Sequence, residues 1–210
     1  MSRAPRIDVG NNIYHVLNRA SGRFPIFKSK QDYLLFEDLL FECVQIHGMH
    51  LLAYCIMPNH WHLVCSTEED GQLGQWLKWL SQTHAQNWRV VHDNVGEGHL
   101  YQGRFKSFPV QTESYLLQLL RYVERNPLRA KLVQRAEDWQ WGSLWVREKG
   151  SPKRKKMLDS WPIDVPNEYL VWVNEVDDPE QLMQVRMHTA RNLPYGDSDW
   201  FVSPKLVSQE

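Results

Sequence analysis

His60-Trp61-His62 sets two imidazoles one residue apart in a stretch that alternates in character. Extended backbone sends residues i and i+2 to the same face, so both rings project together while Trp61 and Leu63 project the other way. Two imidazoles on a rigid strand can share a divalent cation, yet two ligands are too few for a stable site. Taken alone, the pair also reads as two histidines on a half-solvated sheet face. A completion stands further along the chain. Tyr122 and Asn126 are four residues apart in a helical pattern, hence one above the other on one face. Asn126 offers a neutral amide oxygen of the kind that Mg²⁺ or Mn²⁺ accepts. Tyr122 offers a phenol beside it, although such a residue also reads as an ordinary core tyrosine. Tyr115 is the competing phenol, but the residue four positions on is Leu119, which cannot ligate.

The elements that must hold these residues follow from periodicity. Residues 13–18 alternate and predict a strand, with the polar stretch 19–23 after it. Residues 31–47 carry Leu34, Leu35, Leu39, Leu40 and Val44 at helical spacing, and Gly48 closes the run. Residues 51–57 predict a buried strand, Pro58-Asn59 a turn, and 60–66 the second arm of a hairpin. Leu73, Trp76, Leu77, Leu80, His84 and Trp88 mark 71–92 as an amphipathic helix. A Gly-broken connection, 97–102, leads to a fourth strand at 104–111. Thr112-Glu113-Ser114 offer caps for a helix over 115–126, which Pro127 ends or kinks. The order β-α-β-β-α-β-α predicts an α+β, ferredoxin-like fold, an antiparallel four-stranded sheet with helices on one face. Beyond about residue 138, five tryptophans (139, 141, 145, 161, 172) punctuate short segments broken by Pro152, Pro162 and Pro166, and 178–192 predict one more helix. The chain thus divides into 1–150, carrying the chemistry, and an extension, 151–210.

The 210 residues are 42% hydrophobic and 23% charged, with a net charge of −1, which excludes a disordered polyelectrolyte. The longest apolar run, 51–57, falls far short of the roughly 18 residues of a membrane span. Residues 1–10 contain no signal-peptide stretch. Cys43, Cys55 and Cys65 are odd in number and lack CxxC spacing, so a soluble cytoplasmic protein of a reducing compartment is expected. The charge is uneven: 121–156 hold 11 basic and 4 acidic side chains, while 157–210 hold 3 basic and 10 acidic. Such a block is where a polyanion would be gripped, or its run Lys153 to Lys156 is a solvated, hinge-like linker. The acidic tail either folds over the block or keeps the protein soluble.

Met57-Pro58-Asn59-His60-Trp61-His62-Leu63-Val64, then Tyr101-Gln102-Gly103-Arg104-Phe105, then Arg121-Tyr122-Val123-Glu124-Arg125-Asn126-Pro127-Leu128-Arg129-Ala130, resemble the REP-associated tyrosine transposases, single-tyrosine HUH relatives. The resemblance runs from about residue 13 to 145. It implies metal-dependent cleavage of single-stranded DNA beside a hairpin, through a covalent 5′-phosphotyrosine. Position by position it makes His60 and His62 metal ligands, Asn126 the third ligand, and Tyr122 the nucleophile, with Mg²⁺ or Mn²⁺ as cofactor. Tyr101 stands where relatives commonly carry Trp. Gln102, Arg104, Lys106, Arg121, Arg125 and Arg129 are candidate DNA contacts, and Tyr101 or Trp61 candidate stacking surfaces. A hairpin-binding protein that no longer mobilises DNA is the alternative, and a hydrolase using water a third reading. Monomer and homodimer both stay open.

Overall fold

The computed structural model describes residues 6–96 and 98–201. Residues 1–5 of the N-terminal stretch, Glu97 of the Gly-broken connection and 202–210 of the acidic tail lie outside the described residues. Strands β1 (Asn12–Arg19), β2 (His50–Met57), β3 (His60–Thr67) and β4 (Lys106–Val110) pair antiparallel in the order β2-β3-β1-β4. Helices α1 (Lys30–His47) and α2 (Gln72–Val91) supply the two crossovers, giving the ferredoxin-like split arrangement. α1 starts at a reciprocal cap: the Asp32 amide donates to Ser29 Oγ, and the Ser29 amide to the Asp32 carboxylate. Gly48 ends it at φ 65°, a conformation that favours glycine.

Alternation in the strands decides the layers. Tyr14, Val16, Trp61, Leu63 and Cys65 pack with Phe36, Leu40, Leu73, Leu77 and Leu80 of α1 and α2. Ile13, Val64, Phe108 and Val110 face the other way, onto Leu116, Leu119, Leu120 and Val123 of α3 (Ser114–Glu124). The sheet is therefore covered on both faces rather than one, as the unbroken apolar run of β2 requires. α3 begins without the expected side-chain cap; Glu113 precedes it at φ 64°. The helix breaks at Arg125 and resumes as α4 (Asn126–Arg129), with Pro127 in the first turn, where a missing N–H costs nothing.

The extension is built into the same body. After α5 (Ser143–Lys149), the extension adds helices α6 (Pro152–Lys155), α7 (Tyr169–Asn174) and α8 (Pro179–Arg191). Met157 joins the α1/α2 core, and Val185 and Tyr195 join the α3 core. Glu124, buried in α3, accepts from Ser143 Oγ at 2.8 Å and Tyr169 Oη at 2.7 Å, tying three helices together; burial pushes its carboxyl up. The three cysteines are buried free thiols. Among the described residues no helix is long and apolar enough to cross a membrane.

One core histidine makes stability pH-dependent. His84 is buried, stacks on Phe27 and lies 2.6 Å from Tyr101 Oη through Nδ1; burial pushes it down to about 3. The unfolded chain takes up this proton below about 6.5 while the folded one does not until about 3. The His84 contribution is complete above pH 6.5 and falls by about 1.4 kcal/mol per pH unit as the pH drops toward 3. Urea midpoints measured from pH 7 to pH 4 are expected to fall, and to fall less steeply, by about one proton, in His84→Phe. Equal slopes for the two proteins would remove His84 from the acid response.

Candidate active site

β3 carries His60 and His62 toward α3, opposite Arg19 and Leu17 of β1. Their ring centroids are 5.0 Å apart, and the His62 ring lies 6.0 Å from that of Tyr122. His60 follows a two-residue turn that also orients it. Asn59 donates its amide N–H to Arg23 O at 2.8 Å, which turns Oδ1 toward His60 Nδ1 at 2.7 Å. His60 therefore carries its proton on Nδ1 and leaves the Nε2 lone pair free. Burial, with the Arg19 charge adding to it, holds His60 down to about 4. Burial, then the neighbouring His60 and His15, holds His62 well below the usual imidazole range. Both rings are neutral at pH 7, the form that binds metal ions.

Tyr122 is half-buried on α3, with the Arg129 guanidinium 4.4 Å from its ring centroid and donating to its backbone carbonyl. Asn126 donates its amide N–H to Tyr122 O at 3.1 Å and Val123 O at 3.3 Å, which turns its oxygen away from the helix backbone. Neutral imidazoles and an amide oxygen are donor types that a divalent cation such as Mn²⁺ takes. Among the described residues, no group of three His, Cys, Asp or Glu side chains could hold a metal ion. The positive charge would stay uncompensated by protein carboxylates, which suits a phosphate partner. Tyr122 lines a cavity of about 390 Å³ together with Leu17, Arg19, Gln102, Arg104, Lys106 and Arg186. Gln102, Arg104 and Arg186 are exposed, and Lys106 donates to Ala190 O of α8 at 3.2 Å.

Other candidates land elsewhere. Tyr101 is 6% exposed; its hydroxyl accepts from Trp61 Nε1 at 2.9 Å and meets His84. Tyr101 and the fully buried Trp61 are core residues, with no face on which a base can stack. Arg121 and Arg125 are 6% and 7% exposed. Arg121 donates to the Trp172 and Glu175 carbonyls and Arg125 to that of Val173, while Arg121, Arg125 and Arg129 all lie 3.0–3.7 Å from Asp177. Their charge is spent on the extension, so they are not available to DNA phosphates. In the run Lys153 to Lys156, which lies in α6 and its C-cap, Arg154 pairs with Glu37, donates to Gln140 O and packs over Trp145, while Lys153, Lys155 and Lys156 stay exposed. Arg19, Arg186 and His15 are the additions that sequence reasoning missed. Arg186 lies in the acidic tail with no local signal, and Arg19 reads in the sequence as part of a polar connection.

The Asp177 cluster yields a stability prediction. Asp177→Ala strands three nearly buried guanidiniums, and removing one partner of a buried pair costs about 3–5 kcal/mol. Chemical denaturation is expected to show a loss of that size, with proteolysis entering first near 169–177. A loss no larger than that of an exposed ion pair would show that the arginines find other acceptors.

Residues 8–126 match the family described as "Transposase IS200 like", and the chain belongs to that family. A solved structure, "Structure of the REP associates tyrosine transposase bound to a REP hairpin", aligns with a TM-score of 0.59 and 15% identity, covering 80% of this chain and 94% of that one. The likeness is one of fold. A candidate transposase from Deinococcus radiodurans R1 aligns with a TM-score of 0.41 and 17% identity over 59% of this chain and 95% of its own. The tRNA(His) guanylyltransferase of Saccharomyces cerevisiae gives 0.46 and 9% over 92% and 83%. Comparison with curated proteins finds no match.

Proposed function

We propose that the chain is a metal-dependent single-stranded DNA endonuclease and strand transferase that acts beside hairpins, with Tyr122 as its nucleophile. The reading is carried by the neutral His62 ring meeting that of Tyr122, with the neutral His60 ring beside His62, and by Tyr122 lining a cavity edged by Arg19, Arg104 and Lys106. The family assignment supports DNA as substrate, and the hairpin in the related fold supports its shape.

A phosphodiester in the cavity would have its charge met by the guanidinium and ammonium groups, which position a backbone without reading sequence. A phenol ionises near pH 10, so it needs help to attack at neutral pH. Tyr122 Oη attacks phosphorus and loses its proton to solvent. The bond to the 3′ oxygen breaks, its electron pair leaves with that oxygen, and the oxygen takes up a proton. The products are a 5′-phosphate on Tyr122 and a free 3′-hydroxyl. Attack by a second 3′-hydroxyl runs the same exchange backwards and rejoins a strand without ATP. Held by His60, His62 and Asn126, Mg²⁺ or Mn²⁺ would supply charge neutralisation at a non-bridging phosphate oxygen. Arg129, packed on the Tyr122 ring and tethered to Asp177, keeps that ring in place.

Incubation with an end-labelled hairpin oligonucleotide and Mn²⁺ tests the reading, and an SDS-resistant protein–DNA adduct is expected. Binding with no adduct would favour a non-mobilising hairpin-binding protein, and cleavage with no adduct a hydrolase using water. Hairpin affinity should also fall with salt. Replacing Arg104 and Lys106 together by Gln should flatten the log–log slope by roughly 0.7–0.9 for each phosphate that is no longer neutralised. An unchanged slope in an anisotropy titration would move the backbone grip away from this cavity.

A further inference from the structure

His15 stands in the middle of β1, 0% exposed, with its ring edge-on to Phe108 and Tyr122. Its Nε2 lies 2.9 Å from His62 Nδ1, and the two rings are within 10° of parallel. Its other nitrogen, Nδ1, is buried with no hydrogen-bond partner among the described residues. In an apolar layer made of Ile13, Val64, Phe108 and Val110, an imidazole half of whose polar atoms are unanswered packs less well than an apolar ring. The reason for it therefore lies at its one answered atom.

A contact of this length between two imidazole nitrogens holds one hydrogen, on one side or the other. If His15 donates, the proton of neutral His62 must sit on Nε2, and that atom is closed to a cation. If His62 donates from Nδ1, its Nε2 lone pair is open and faces the same side as His60. Only the second arrangement lets His62 act as a ligand. The first nitrogen's hydrogen bond sets what the second can do, and partners of this kind raise the basicity of the ligating imidazole and fix its plane. His60 already has such a partner in Asn59.

We propose that His15 is a positioning residue for the candidate metal centre: it accepts the Nδ1–H of His62, so that His62 presents Nε2 to a divalent cation. His15 is not itself a ligand, because its Nε2 is committed to His62 and its Nδ1 points into the core. The inference rests on the reading of His60, His62 and Asn126 as metal ligands, and the experiment separates the two.

Mn²⁺ affinity is measured by the loss of the free-ion EPR signal, and hairpin affinity without metal by anisotropy, on the full chain. His15→Phe keeps an aromatic ring but removes the acceptor, and its Mn²⁺ dissociation constant is expected to rise roughly 10- to 100-fold. His15→Gln can place an amide oxygen near the position of Nε2 and is expected to recover most of that roughly 10- to 100-fold loss. Hairpin affinity should be unchanged in both. Weak Mn²⁺ binding by wild type that His62→Ala does not alter would defeat the ligand assignment and this inference with it. Binding that depends on His62 but is indifferent to His15→Phe would overturn the His15 role alone. Equal weakening in the Phe and Gln variants would also overturn it, leaving His15 a packing residue. Should His15→Phe not fold, imidazole ¹⁵N shifts of the Mg²⁺-loaded wild type decide: His62 protonated on Nδ1 is expected, and protonation on Nε2 refutes the assignment.

Discussion

Tyr122→Phe is expected to abolish covalent attachment to DNA, lowering adduct formation by about four orders of magnitude or more, while hairpin affinity stays within about threefold. The substitution removes one oxygen and keeps the ring. The ring is what packs: Arg129 lies over it, and His15 and His62 meet it edge-on. Tyr115 provides the control on the same helix. Its hydroxyl donates to Asp197 at 2.9 Å and its ring rests on Tyr195, away from the histidines. Tyr115→Phe should therefore leave adduct formation intact. An adduct that persists in the Tyr122 variant and disappears in the Tyr115 variant would reverse the assignment of nucleophile.

The part of this site that depends on local periodicity was legible in the sequence. Alternation through 60–66 put His60 and His62 on one face and Trp61 on the other, and the strand does so. Asn126 stands just past the helix break at Arg125, and its amide donates to the Tyr122 backbone carbonyl. What failed was everything decided by partners distant in the chain. Arg121 and Arg125 looked like a cationic helix face because nothing local said that Asp177, some fifty residues on, would be folded against them. Charge counts give the sign of a segment but not whether its counter-ion is DNA or another part of the same chain. Tyr101, a candidate stacking surface by resemblance, failed for a related reason: Trp61 and His84 close on its hydroxyl from two other elements. His15 carried no signal at all. A single histidine in an apolar strand is silent until the register of β1 on β3 brings it to His62.

Loss of either imidazole is the other large effect expected. His62→Ala and His60→Ala should each reduce Mn²⁺-dependent cleavage by about two to three orders of magnitude, the scale on which one electrostatic contact to a reacting group acts. The two are not equivalent. His62 is buried between His15 and Tyr122, so His62→Ala also opens a cavity beside the nucleophile, and its thermal midpoint should drop by several degrees. His60 is half-buried at the hairpin turn, and its removal should cost activity with little stability. Asn126→Ala belongs with them but differs in chemistry. Water replaces a neutral oxygen donor readily, whereas nothing in solvent replaces a held imidazole, so millimolar Mn²⁺ should rescue Asn126→Ala better than either histidine variant. Cleavage by the wild type that survives EDTA would take the cation out of the mechanism. Equal rescue of all three variants would mean that Asn126, His60 and His62 contribute to one shared charge rather than as distinct ligands.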